Sequence, residues 1–381
     1  MNTKDIIDKA RAATGLTDMG DPAVLEGLEI LVRASVQEAC LSETGTQRWE
    51  ANLVNTLANR LRMVEYLEHH PELLERPIER PMFVFGLPRT GTTLTINLLS
   101  ADPARRCLLR WEALNPVPPA AAGALHSDPR CLAEQQRLAM AVKYAPQIAA
   151  AHYEDADSPS ECQFAMALSF CAQIFDSTVH IPSYGQWFLH QASYLPSFRL
   201  HKQLLQLLQA ENAGRWTLKN PWHPLFLNDL VTVYPDAQLV MTHRDPAEVV
   251  GSACSLIRHV RPMYSDRVDL RQIADQLIET FDLMIARQNA YRTRHGDASI
   301  YDIQYARQLR DPVGQMRDLY AHFDEPFTPE VEAAMTTMLA KTPQGKHGKH
   351  IYSLEEFGLT AVAVRQHFRE YCERFNIPLQ Q

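Results

Sequence analysis

The 381-residue chain contains no CxxC pair, and its seven cysteines (Cys40, Cys107, Cys131, Cys162, Cys171, Cys254 and Cys372) are scattered. An odd, irregular set argues against a disulfide framework or a zinc site and fits reduced thiols. Uncharged apolar runs long enough to span a bilayer are also lacking. The opening residues, Met1-Asn2-Thr3-Lys4-Asp5, have no apolar stretch of the signal-peptide kind. A cytoplasmic protein without a membrane span is therefore expected. Positive charge is short as well: the net charge is −8. That argues against a nucleic-acid partner, whose phosphates are bound by Lys and Arg excess, but leaves room for a local basic pocket around one small anion. Global disorder is excluded by a composition of 46% hydrophobic and 22% charged residues. There is no internal repeat, and an oligomer remains open.

Residues 1–80 read as an N-terminal helical segment. Leu25, Leu28, Leu31 and Val32 share one helix face, as do Leu53, Leu57, Leu61 and Val64. Met82-Phe83-Val84-Phe85 then forms a continuous apolar run ending at Gly86, which suits a strand buried on both faces of a parallel sheet. Thr92 to Leu99 reads as the following helix. Further strands are expected at Cys107–Leu109, Trp216–Leu218, Gln238–Met241 and Ser299–Tyr301, with helices at Pro246–Ile257 and Leu270–Arg292. This alternation predicts an α/β fold: a P-loop-like core with a parallel sheet flanked by helices. The α/β domain spans 81–360, with a helical insertion at about 120–215, and a C-terminal helix occupies 361–381.

Gly86-Leu87-Pro88-Arg89-Thr90-Gly91-Thr92-Thr93 joins the first strand to its helix. Glycines there let backbone curl close to a phosphate, and the helix N-terminus offers unpaired N–H groups. The pattern approaches the Walker form GxxxxGK[ST], but Thr92 stands at the lysine position and the cation is Arg89, inside the loop. The Walker lysine serves β and γ phosphates, so its absence suits a donor with fewer phosphates. Arg244 follows the Gln238–Met241 strand, and Ser252 lies eight residues later on the next helix, placed to reach a second phosphate. Gly345-Lys346-His347-Gly348-Lys349-His350 is a basic, glycine-containing stretch of the kind that closes over anions.

Together these elements resemble the sulfotransferase superfamily that uses 3′-phosphoadenosine 5′-phosphosulfate (PAPS). In that family a PxSGTT-type loop holds the 5′-phosphate, and an Arg and a Ser eight residues apart hold the 3′-phosphate. A C-terminal basic loop covers it. Arg89 at the loop's usual lysine position is similar to the tyrosylprotein sulfotransferases and a bacterial group. The bacterial resemblance extends to Trp111-Glu112, Leu218-Lys219-Asn220-Pro221, Tyr234-Pro235-Asp236-Ala237, Thr242-His243-Arg244-Asp245-Pro246 and Tyr352–Gly358, over about residues 25–360.

The resemblance implies donor contacts from Arg89, Thr90, Gly91, Thr92, Thr93, Arg244, Ser252, Tyr305, Lys346, His347, Gly348 and Lys349. It implies Glu112 as general base and Lys219, with Arg89, as stabilisers of charge on the leaving phosphate. His223, four residues past Lys219, is the rival base. PAPS is the expected donor and PAP the product, with no metal. The acceptor would be a small-molecule, lipid or carbohydrate hydroxyl. Eight aromatics between 161 and 200 make the insertion a candidate acceptor pocket, or simply its own core. Glu161 opens that segment without an assigned role. The rival readings are a small-molecule P-loop kinase, which would need ATP and magnesium, and a nucleotide-binding protein without catalysis.

Overall fold

Alternate side chains of the first strand, β1 (Met82–Gly86), enter two different cores. Phe83 and Phe85 join one apolar cluster and Met82 and Val84 another, as the two-residue period of a strand requires. The computed structural model describes residues 1–144, 154–341 and 352–379. The other strands are β2 (Arg105–Cys107), β3 (Arg215–Lys219), β4 (Gln238–His243) and β5 (Tyr301–Gln304). All pairings are parallel, in the order β2-β3-β1-β4-β5. Met82 is in register with Thr217 of β3 and Gln238 of β4. The carboxyl ends of β3, β1 and β4 therefore lie side by side, at the switch in strand order where open α/β sheets bind ligands.

Three helices, α1 (Thr3–Thr14), α2 (Ala23–Gln37) and α3 (Glu43–His69), precede the sheet. Their buried faces (Ile6, Leu28, Leu31, Leu53, Leu57, Leu61) belong to the same cluster as Phe83 and Phe85. After β1 comes α4 (Thr92–Ser100), and after β2 the short α5 (Arg110–Leu114). The insertion contributes α6 (Pro129–Tyr144), α7 (Cys162–Met166), α8 (Gln173–Thr178), α9 (Pro182–His190) and α10 (Leu195–Leu208). Helix α11 (Leu227–Val233) links β3 to β4, which is followed by α12 (Pro246–Val260) and α13 (Leu270–His295). The expected C-terminal helix is two short ones, Ala361–His367 and Arg369–Arg374. No helix among the described residues is long and apolar enough to cross a membrane.

The second strand begins two residues earlier than its apolar letters suggest, because two arginines are buried in it. Arg105 reaches Glu325, Thr217 and the Tyr320 hydroxyl. Arg106 reaches Glu112 and lies over the Trp216 ring, 4.6 Å from its centroid. Each charge is tolerated because a carboxylate and hydrogen bonds meet it.

Candidate active site

Close packing shapes the loop after β1. A Cβ on Gly86 would lie 2.4 Å from the Thr242 carbonyl oxygen of β4. Arg89 and Gly91 have φ of 74° and 101°, the left-handed region that costs an L side chain roughly 1–2 kcal/mol. A Cβ on Gly91 would lie 2.5 Å from the Tyr305 ring. Gly91 caps α4 without a side-chain hydrogen bond, so the first N–H groups of that helix lack intrahelical partners. Gly91, Thr92 and Thr93 line a cavity of about 850 Å³. Thr90 does not face it. Its buried hydroxyl donates to the Leu87 carbonyl at 2.6 Å and meets the Thr242 hydroxyl at 2.6 Å, bracing the loop against β4.

Arg89 and Arg244 converge above the loop. Arg89 Nε donates to Ser252 Oγ at 3.0 Å, and Arg244 Nη1 donates to the Arg89 carbonyl at 3.1 Å. The Arg244 guanidinium also lies 4.7 Å from the centroid of the Tyr305 ring and bonds Glu248 at 3.3 Å. Asp245 fixes this geometry: it caps α12 through the Ala247 N–H and is held by Arg365. Arg244 Nε is buried with no protein hydrogen-bond partner among the described residues. Burial pulls the Arg89 pKa down, and the positive charge of Arg244 pulls it further. Two like charges and an orphaned donor make a site whose electrostatics favour an anion.

At the end of β3, buried Lys219 faces two carboxylates. Its Nζ is 3.4 Å from Glu161 Oε1 and 3.6 Å from Glu154 Oε1, and donates to Thr93 Oγ1 at 3.4 Å. An isolated parallel bridge between Glu161 and Lys219 ties the insertion to the sheet. Glu161 and Glu154 both line the cavity. Glu154 is engaged through Oε2 by Arg110 and Ser160, whereas Glu161 Oε2 accepts from Gln163.

The two bases expected from sequence are elsewhere. Glu112 is fully buried, with its carboxylate against the Arg106 guanidinium at 2.6 and 3.1 Å and accepting the Leu109 N–H at 3.3 Å. It lies outside the cavity lining because the charge buried in β2 claims it. His223 is also buried away from the cavity, edge-on to Phe83 at 5.3 Å between ring centroids and tilted against Phe198 at 5.7 Å. Burial pushes its pKa well below the ordinary imidazole value, so it is a neutral core histidine. Lys346, His347, Gly348 and Lys349 lie outside the described residues.

The aromatic cluster of the insertion is mostly core. Phe170 stacks on Phe175, Tyr184 on Phe188, and Phe188 meets Tyr194 edge-on; of the eight rings only Phe164 lines the cavity. The apolar wall comes instead from α12, through Ala253, Leu256, Ile257 and Val260, with Ile174 of α8 and Leu277 of α13. The i, i+3, i+4, i+7 spacing of the α12 residues is visible in sequence, but which face is covered by core and which by cavity depends on tertiary packing.

The profile of the sulfotransferase family matches residues 81–329. The chain belongs to the sulfotransferase family. The crystal structure of sulfotransferase STF9 from Mycobacterium avium is 36% identical in sequence and superposes with a TM-score of 0.92, covering 99% of this chain and 97% of that one. The corresponding values for sulfotransferase STF1 from Mycobacterium tuberculosis H37Rv are 32%, 0.87, 97% and 99%. A curated relative, omega-hydroxy-beta-dihydromenaquinone-9 sulfotransferase Stf3 of Mycobacterium tuberculosis, is 26% identical over 106 residues. That match spans 28% of this chain and only 27% of the relative's length. The expected α/β fold and sulfotransferase membership both hold, and the kinase reading loses its ground.

Proposed function

We propose that this sulfotransferase moves a sulfuryl group from PAPS to the hydroxyl of an apolar small-molecule or lipid acceptor, with Glu161 as general base. The observation that carries it is the convergence of Arg89 and Arg244 over the loop, continuous with the Glu161–Lys219 pair and the apolar cavity. The residues fit the donor. The N-terminus of α4, with Thr92 and Thr93, suits a 5′-phosphate. Arg244, with its orphaned Nε, and Ser252 suit a 3′-phosphate, and the Tyr305 ring is available to a base. Bound there, the donor supplies the sulfuryl group and leaves as PAP.

The chain's own residues then divide the work. Glu161 takes the proton of the acceptor hydroxyl as its oxygen bonds to sulfur. Lys219 and Arg89 stabilise the charge left on the phosphate oxygen as its bond to sulfur breaks. Lys219 also keeps the Glu161 carboxylate in place. The apolar wall of α12 takes the acceptor's body. Stf3, an omega-hydroxy-beta-dihydromenaquinone-9 sulfotransferase by name, supports an alcohol on an apolar body as the acceptor class. The seven free cysteines support a cytoplasmic location, where thiols stay reduced.

Calorimetric titration with PAP and with ATP–magnesium tests the donor site. PAP is expected to bind without metal. Arg244→Ala should weaken it about 10- to 100-fold, the worth of a hydrogen bond to a charged group at about 1.5–3 kcal/mol. Tight ATP–magnesium binding with no PAP signal would sink the proposal. For the base, Glu161→Gln should cut labelled sulfate transfer by about 10²–10⁴ while PAP binding changes less than about threefold. Near-normal turnover in that variant would shift the role to Glu154.

A further inference from the structure

The acceptor cavity is electrostatically lopsided. The carboxylates that line it, Glu154 and Glu161, lie at the inner end beside Lys219. Three arginines outside the donor site also line it: Arg48, Arg110 and Arg137. Arg110 is paired with Glu134 and Glu154, and Arg137 is paired with Glu134. Arg48, exposed on α3, has no carboxylate partner among the described residues; its guanidinium donates to the Met263 carbonyl at 3.2 Å.

Arg48 marks the outer end of the apolar channel. Ser252, at the donor site, and Val260, on the channel wall, are eight residues apart on α12, about 12 Å along the helix axis. Met263 lies beyond Val260 and also lines the cavity. Arg137 is the other solvent-exposed arginine of the lining, its side chain 58% exposed. An anion beside Arg48 would meet a guanidinium that no carboxylate among the described residues neutralises.

We infer that the acceptor is an amphiphile with an anionic group remote from its reacting hydroxyl, and that Arg48, with Arg137 on the same cavity lining, recognises that group. The inference rests on the reading of this cavity as the acceptor site. The hydroxyl faces Glu161 and the anion sits at the Arg48 end of the channel, with apolar chain between them.

The test uses the full chain saturated with PAP and two probes of equal length, ω-hydroxydecanoate and 1-decanol, with binding read by calorimetry. Wild type should bind the hydroxy acid at least about fivefold more tightly than the alcohol. Arg48→Ala should lower the hydroxy-acid affinity about tenfold and change the alcohol's less than about twofold, in line with loss of one charge-assisted contact. Arg48→Lys should retain part of the preference, since it keeps the charge but loses the planar fork. Equal wild-type affinity for the two probes, or an equal loss for both in Arg48→Ala, overturns the inference and leaves the channel reading standing. If PAP binds but neither probe does, the channel reading fails and takes the inference with it.

Discussion

Replacing Glu112 by Gln separates a structural carboxylate from a catalytic one. Glu112 neutralises Arg106 through contacts of 2.6 and 3.1 Å, and neither side chain is more than 3% exposed. Glutamine keeps one acceptor but turns an amide NH₂ toward a guanidinium that has nowhere to go. Breaking a buried pair in this way costs about 3–5 kcal/mol, because the remaining charge is uncompensated. For a chain of 381 residues the unfolding entropy is about 0.8 kcal/mol per kelvin, so the midpoint should fall by about 4–6 °C. Turnover measured well below both transitions should stay within about threefold of wild type, since Glu112 does not line the cavity. The assay pairs thermal unfolding followed by circular dichroism with labelled sulfate transfer at low temperature. An unchanged midpoint with a hundredfold loss of turnover would refute the reasoning and return Glu112 to the chemistry.

Two other perturbations follow from the geometry. Gly91→Ala would place a methyl 2.5 Å from the Tyr305 ring at a φ of 101°; PAP affinity should fall at least about tenfold, given a cost of roughly 1–2 kcal/mol for the backbone alone, and wild-type affinity on titration would contradict the packing. Asp176 gives a pH signature: burial raises its carboxyl to about 7 from 3.8, with Arg261 opposing. The native state then holds a proton that the unfolded chain releases, so this contribution to stability is full below about pH 4 and is lost as the pH rises to about 7. Asp176→Asn should flatten the fall in thermal midpoint over that window, and parallel pH profiles for the two proteins would count against it.

The central strands and their loops are legible in the sequence because their local chemistry is strong. Met82–Phe85 and Gln238–Met241 are apolar on every residue or nearly so, and Pro246 behind Asp245 announces α12. The second strand is read two residues late because Arg105 and Arg106 carry charges whose partners, Glu325 and Glu112, only the fold supplies. The same hidden pairing sets Glu112, the base implied by the family resemblance, against Arg106 and outside the cavity lining. Glu161 is the converse in placement, since it lines the cavity. Nothing adjacent to it suggests chemistry, and it reaches Lys219 only because the insertion makes a single bridge to the end of β3. Strand order is likewise set by pairing between distant segments, which local patterns do not encode.

One helix, α12, carries Ser252 at its middle and Leu256, Ile257 and Val260 on the following two turns. Under the proposed function, this helix gauges the acceptor with a ruler whose zero mark is set at the donor phosphate. Side chains farther along can be lengthened or trimmed to admit shorter or longer acceptors without disturbing the sheet or the loop. A shift of the whole helix, by contrast, would move both graduations at once. Natural or engineered changes of acceptor range should therefore concentrate in its last two turns, and changes nearer Arg244 should alter the recognition of both substrates together.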